Sequence, residues 1–270
     1  MRLFNVPTLV AALAVLGGGL AHAATAEETA RAAAALPDWS GVWQNFGPPN
    51  FTDLFDGGTA EPKGCRALAQ PCRSHPPTTP AWEAKYRSQL ALSLAGRLPP
   101  DSTTCLPRGT PANMRTQDSM EFVLRPEQVW IFVENIQLPR RIYTDGRPHR
   151  TGPGAFPTYA GDSIGHWEGD TLVVETVNLK PNMMIDRSGI YLSGKAKLVE
   201  RWRKIDDNTI EDKYTITDPE ALAKPWEVLR RYKRVPNGRM FDYACAENTR
   251  NTVDEEGFTH TLGPDGKPID

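Results

Sequence analysis

His166 and Glu168 stand two residues apart in the segment 161–178, GDSIGHWEGDTLVVETVN, and on an extended strand that spacing puts both side chains on one face. A histidine beside a carboxylate can take and return a proton near neutral pH, with Glu168 or Asp162 orienting the ring. The same two residues would supply part of a metal site. A metal needs further donors, for which His149, Asp162 and Glu134 are candidates without a spacing that unites them, so no metal is expected. Gly161-Asp162-Ser163-Ile164-Gly165 spells G-x-S-x-G, but a nucleophile elbow must lead from a strand into a helix, and here a strand follows. A hydrogen-bonded hairpin end is the structural reading of the same residues. Arg141 and Tyr143 form a second constellation, sharing one strand face while Arg140 and Ile142 share the other. One arginine therefore points inward and one to solvent. An arginine beside Tyr143 can hold a carboxylate or phenolate by charge-assisted hydrogen bonds, or pair with Glu121 or Glu134. The catalytic candidates are thus His166, Arg141, Tyr143, Asp162 and Glu168.

From Met120 onward the chain reads as short β-like runs separated by turn chemistry every ten or so residues, the rhythm of an antiparallel meander. Met120 to Leu124, Glu127 to Glu134 and Leu138 to Thr144 come first, followed by the turn Thr144-Asp145-Gly146-Arg147. Ser163 to Trp167 and Thr171 to Val177 form a hairpin through Glu168-Gly169-Asp170. Lys197 to Ile205 pairs with Thr209 to Thr217, and Trp226 to Arg234 pairs with Met240 to Cys245 across Pro236-Asn237-Gly238. No β-α-β alternation occurs, so a parallel sheet is not expected. Several of these strands carry polar residues on both faces. Inward-pointing Glu200, Asp212 or Arg230 is costly in a dry core but reasonable beside a water-containing cavity, and a barrel of eight or slightly more strands has room for one small ligand. Trp130, Phe132, Trp202, Tyr214, Trp226 and Arg230 are the candidate ligand-binding wall, since small-molecule cavities combine aromatic surface with a few convergent polar groups.

The first half positions this barrel and addresses it. Arg2, an apolar run from Val10 to Leu20 and the small residues around Ala21-His22-Ala23 form a signal peptide, residues 1–23, cleaved after Ala23. The expected location is the periplasm or the exterior, as a soluble protein. Four cysteines in such a chain read as two disulfides, Cys65 with Cys72 and Cys105 with Cys245. The second closes a long loop and contributes up to roughly 4 kcal/mol. Residues 24–115 form an N-terminal extension carrying the first strand, the disulfide loop and one helix from Pro80 to Gly96. Trp82, Tyr86, Leu90 and Leu94 recur along one stripe of that helix, which packs against the barrel. Residues 116–250 form the barrel body, one domain with 36–115, and 251–270 a C-terminal tail.

Leu36-Pro37-Asp38-Trp39-Ser40-Gly41-Val42-Trp43 opens the mature domain, and Gly41-Val42-Trp43 resembles the G-x-W start of lipocalin-type barrels. The resemblance implies a Trp closing one end of the barrel under an arginine from a late strand, Arg230 or Arg231. A second resemblance runs from about Cys105 to Asn248. It is carried by Glu121-Phe122, Arg140-Arg141-Ile142-Tyr143, Asp145-Gly146-Arg147-Pro148-His149, the GDSIGHWEGDTLVVET hairpin, Glu200-Arg201, Asp218-Pro219, Lys224-Pro225-Trp226 and Tyr243-Ala244-Cys245. These are similar to a large bacterial family of exported proteins, which implies an exported β-rich domain without a settled activity. Where many such relatives have Pro-His-Ser, this chain has Asp186-Arg187-Ser188-Gly189-Ile190-Tyr191-Leu192-Ser193. Any role of that histidine would fall here to Tyr191 or Ser193.

The expected fold is therefore mainly β: an antiparallel up-and-down, lipocalin/calycin-like barrel with one helix in the N-terminal half and long loops. Its expected function is to bind an apolar or aromatic small molecule in a polar, aromatic-lined cavity. The alternatives are a cofactor-independent lyase, isomerase or hydrolase using His166 as acid and base with Arg141 and Tyr143 as anion stabilisers, and a structural envelope module with a filled barrel. No cofactor is expected, because no Gly-rich turn links a strand to a helix. Loss of Arg2 with the leader leaves one base fewer than the full chain's 31 against 33 acids. That balance gives no electrostatic reason for a nucleic-acid partner, and no later apolar run is long enough for an integral membrane segment.

Overall fold

Most strands alternate buried with more exposed side chains, and pairing of the last strand with the first closes the sheet into a ring. The computed structural model describes residues 25–46, 76–94, 105–114, 118–185, 190–245, 251–253, 255, 259–263 and 265–267. Nine strands close one barrel: β1 (Val42–Asn45), β2 (Met120–Arg125), β3 (Gln128–Val133), β4 (Ile136–Tyr143), β5 (Asp162–Glu168), β6 (Thr171–Val177), β7 (Lys197–Asp206), β8 (Thr209–Thr217) and β9 (Trp226–Val235). β9 returns to β1, with Val42 opposite Val235 and Asn45 opposite Tyr232. The inner face carries Val129, Ile131, Ile142, Leu172, Val174 and Leu198, all buried.

An odd number of strands cannot alternate in direction all the way round a ring. One like-directed pair is obligatory, and it falls between β4 and β5, which run parallel with only Ile142 opposite Ser163 and Tyr143 opposite Ile164. This departs from the wholly antiparallel meander expected from the turns. β4 ends where β5 begins, so most of β4 has no β5 neighbour, and the connection 144–161 folds against the outside of the wall there.

The segment from Met240 to Cys245 contains no strand. The partner expected for it, β9, is taken by β1 instead, because closing the ring satisfies the free edge of both strands. The expected tail contains a two-stranded hairpin, β10 (Asn251–Val253) with β11 (Thr259–Thr261). Cys105 and Cys245 form a disulfide across 140 residues, while the expected Cys65–Cys72 pair and the expected signal peptide lie outside the described residues.

Two helices flank the barrel. α1 (Ala26–Ala34) buries none of its residues and holds together by a capping box, in which the Thr25 side chain accepts from Glu28 N and the Glu28 carboxylate from Thr25 N. The pattern was present in the sequence as Thr-x-x-Glu before an alanine-rich run. α2 (Pro80–Leu94) has Pro80 at its first position, where a missing N–H costs nothing. Tyr86 is buried and Trp82 packs against the core; the side chains of Leu90 and Leu94 lie outside the described residues. Lys85 sits between the rings of Trp82, 4.6 Å away, and Tyr191, 4.5 Å away, and donates to Asn182 Oδ1 at 2.9 Å. Burial lowers its pKa from the usual lysine value. Among the described residues no helix is long and apolar enough to cross a membrane.

One end of the barrel is closed by Trp43, fully buried, whose indole N–H donates to Trp39 O at 3.0 Å. The guanidinium stacked over its ring, 4.3 Å away, belongs to Arg234, not to Arg230 or Arg231. Arg231 turns outward to Glu211 at 3.0 Å, and Arg230 points into the interior. Arg234 also donates to the carbonyls of Ser40 and Asp207. Gly41 makes this closure feasible: its φ is +96°, and a Cβ there would lie 2.6 Å from Arg234 Nη1. Gly41→Ala is expected to cost about 1–3 kcal/mol, the range for a non-glycine residue forced into such a conformation. Urea denaturation measures it, and an unchanged midpoint contradicts the account.

Candidate functional site

The barrel interior is occupied by charge. Arg140 and Glu200, both essentially inaccessible, form a two-pronged ion pair. Arg140 Nη2 also donates to Thr176 Oγ1 at 2.9 Å, Nη1 approaches Met114 Sδ at 2.8 Å, and Trp202 Nε1 donates to Glu200 Oε1 at 3.2 Å. Asp212, Arg230 and Tyr214 complete the group, with Asp212 directly opposite Arg230 across β8 and β9. Both carboxylate oxygens of Asp212 lack a hydrogen-bond partner. Burial pushes its carboxyl well above the usual range, the neighbouring Glu200 charge adds to this, and Arg140 and Arg230 offset it only in part. Burial likewise pushes the Tyr214 and Tyr232 hydroxyls up, and Tyr232 donates to Met114 O at 2.8 Å.

The expected aromatic wall is divided between two surfaces. Trp202, Tyr214, Trp226 and Arg230 face inward and are buried. Trp130 and Phe132 stand on the outer face of β3, stacked with their centroids 5.8 Å apart. The register that pairs Trp130 with Arg141 and Val129 with Ile142 settles which arginine is which: Arg140 points inward and Arg141 outward, its guanidinium 4.4 Å from the Trp130 ring.

His166 and Glu168 do share a face, as their spacing requires, but it is the outer face of the β5–β6 hairpin. The His166 side chain is 66% exposed, with Nε2 3.2 Å from Glu168 Oε1. Glu168 accepts from Arg201 at 2.7 Å, and these two partners hold its carboxyl below the usual range. Four residues of strand separate His166 from Asp162, about 13 Å at the usual rise, so Asp162 does not reach it.

Asp162 instead joins Arg141 and Tyr143. These three line a cleft of about 580 Å³ on the outside of the barrel, at the step between β4 and β5, together with Arg147, Arg150, Tyr159, Lys180 and the backbone around Gly161. The connection 144–161, rich in Gly and Pro, forms its far side. Gly161, with φ +74°, turns the chain into β5 where a Cβ would lie 2.5 Å from a Thr176 methyl, which explains the first glycine of the serine-like motif. Ser163 is buried, faces inward and shares a 2.8 Å hydrogen bond with Thr176.

Asp162 accepts from the backbone N–H of Arg150 at 2.8 Å and from Arg150 Nε at 3.1 Å, and His149 Nδ1 lies 3.1 Å away. Burial raises its carboxyl, but these bonds together outweigh burial and hold it below the usual range. Arg147 grips Asp145 through Nε and Nη2 and lies 4.1 Å over the Tyr143 ring. Lys180 Nζ is 3.2 Å from the Tyr159 hydroxyl. Arg150, Tyr159 and Lys180 were not anticipated from sequence; the available signal was Arg147-Pro148-His149-Arg150 within a long loop, where binding residues concentrate. Ser193 and Tyr191 have structural roles. Asp218 accepts from both the N–H and the hydroxyl of Ser193 at 2.7 Å, and Tyr191 packs on Lys85. Among the described residues no three His, Cys, Asp or Glu side chains converge as metal ligands.

Compared with known proteins, the chain matches no protein-family model and no curated protein.

Proposed function

We propose that this barrel is an exported binding protein whose ligand is a small aromatic molecule bearing an acid group, held in the outer cleft and not in the barrel interior. The observation that carries the reading is the position of Arg141. It lines the cleft, is supported from behind by the Trp130 ring and has no ion-pair partner among the described residues. A guanidinium fixed by stacking loses little freedom when it grips a carboxylate or phenolate. Tyr143 and Tyr159 supply flat apolar surface beside it. Inside the barrel, by contrast, the Arg140 guanidinium is already held by both oxygens of Glu200. Export accords with the leader-like first residues and with the Cys105–Cys245 bridge.

The catalytic alternative draws less support. His166 stands outside the cleft and its ring contacts only Glu168. The arrangement better suited to proton transfer is His149 on Asp162, a carboxylate orienting an imidazole, at the edge of the cleft. Calorimetric titration with benzoate, phenols and indole acids tests the binding reading. Arg141→Ala is expected to weaken any acid that binds by at least tenfold, whereas His166→Ala leaves affinity unchanged. The opposite ranking of these two variants rejects the cleft as the site.

A further inference from the structure

We infer that the ligand of this cleft carries two negative charges, as in a phosphate monoester or a dicarboxylate on an aromatic ring. This rests on the cleft being the binding site and adds the charge of what it takes.

Four cationic side chains line the cleft: Arg141, Arg147, Arg150 and Lys180. Arg147 is neutralised by Asp145, with Nε–oxygen distances of 2.8 and 2.9 Å. Arg150 is neutralised by Asp162 at 3.1 Å. Among the described residues Arg141 has only the Trp130 face, and Lys180 only the hydroxyl and ring of Tyr159, the latter 4.4 Å from Nζ. Neither contact cancels a charge. Two positive charges therefore remain uncompensated among the described residues, on a chain whose formal net charge is −2.

A monoanion would leave one of these cations unmatched. Their placement also differs in kind. Arg141 presents a planar fork that meets two oxygens at once, whereas Lys180 is a compact point charge with rotatable donors, a combination suited to an anion that spreads charge over several oxygens. The two tyrosines that flank them, Tyr143 and Tyr159, give the ring of such a ligand a surface to lie on.

Titration of the mature chain with three ring-matched probes decides the matter: benzoate, phenyl phosphate and benzene-1,3-dicarboxylate, at about pH 8, where a phosphate monoester carries close to two charges. The expected result is that at least one dianion binds tenfold or more tightly than benzoate, with the advantage shrinking as salt is raised. Lys180→Gln is expected to remove that advantage while leaving benzoate affinity within about threefold. Equal binding of benzoate and both dianions overturns the two-charge inference and leaves the cleft as a monoanion site. Failure of all three to bind overturns both. A Lys180→Gln variant that weakens benzoate as much as the dianions also overturns the inference, because Lys180 would then serve general binding and not a second charge.

Discussion

Glu200→Gln lowers the stability of this barrel by about 3–5 kcal/mol, the cost of leaving a buried charge without its counter-ion. Glu200 is completely buried and holds Arg140 through both carboxylate oxygens. An amide keeps the shape but removes the charge and turns one acceptor into a donor facing the guanidinium. Chemical denaturation measures the loss, and a change below about 1 kcal/mol contradicts the account. A companion variant separates charge from packing. Replacing Arg140 by Met and Glu200 by Leu together is expected to be far less damaging than Glu200→Gln alone, because apolar replacement of a whole buried ion pair is often neutral or stabilising.

Asp212→Asn acts in the other direction. The Asp212 carboxyl is held above its usual range by burial first and by the Glu200 charge second, against Arg140 and Arg230. The groups facing it are Arg140 from β4, Glu200 from β7, Arg230 and Tyr232 from β9, and Tyr214 from its own strand. The native state therefore binds a proton here that the unfolded chain releases at its ordinary carboxylate pKa near 4. Stability from this group is fully present below that pKa and is lost as pH rises toward the elevated folded value. Asparagine resembles the protonated form at every pH. The variant is thus expected to match the wild type near pH 4 and to exceed it at pH 7, by a margin that grows as pH rises between the two. A difference that does not grow with pH rejects the assignment. In a Glu200→Gln background the sign should reverse, because Asp212 then supplies the only carboxylate near Arg140 in that cluster.

The barrel was legible because its strands announce themselves by alternation and by the turns between them. Lys197 to Asp206 shows this, with Leu198, Glu200 and Trp202 on one side and Arg201 and Arg203 on the other. Alternation fixes which residues share a face but not which face is inside. Arg140 and Arg141 were separable from sequence, yet only the register against β3 decides which enters the core. The same ambiguity merged outward Trp130 and Phe132 with inward Trp202 and Tyr214. Ring closure was similarly hidden. Nothing local to Met240 or Val235 tells β9 to pair with a strand nearly two hundred residues earlier. Arg141, Tyr143 and Asp162 were candidates from the sequence, but the cleft that joins them to Arg150 and Lys180 was hidden, because these residues come from separate stretches that meet only at the step between two parallel strands.

That step has an evolutionary consequence. Parity forces one parallel pair in a nine-stranded ring, and here that pair overlaps by only two residues, the chain leaving the ring at Tyr143 and re-entering at Asp162. The excursion supplies one wall of the cleft, including Arg150 and Tyr159, while Arg141 and Tyr143 stand on β4 and Lys180 follows β6. That wall is therefore the part of the cleft that can vary without changing a barrel strand. Exchange of the segment between those two points could redirect what is bound while the Arg140–Glu200 core and the Trp43 closure stay as they are.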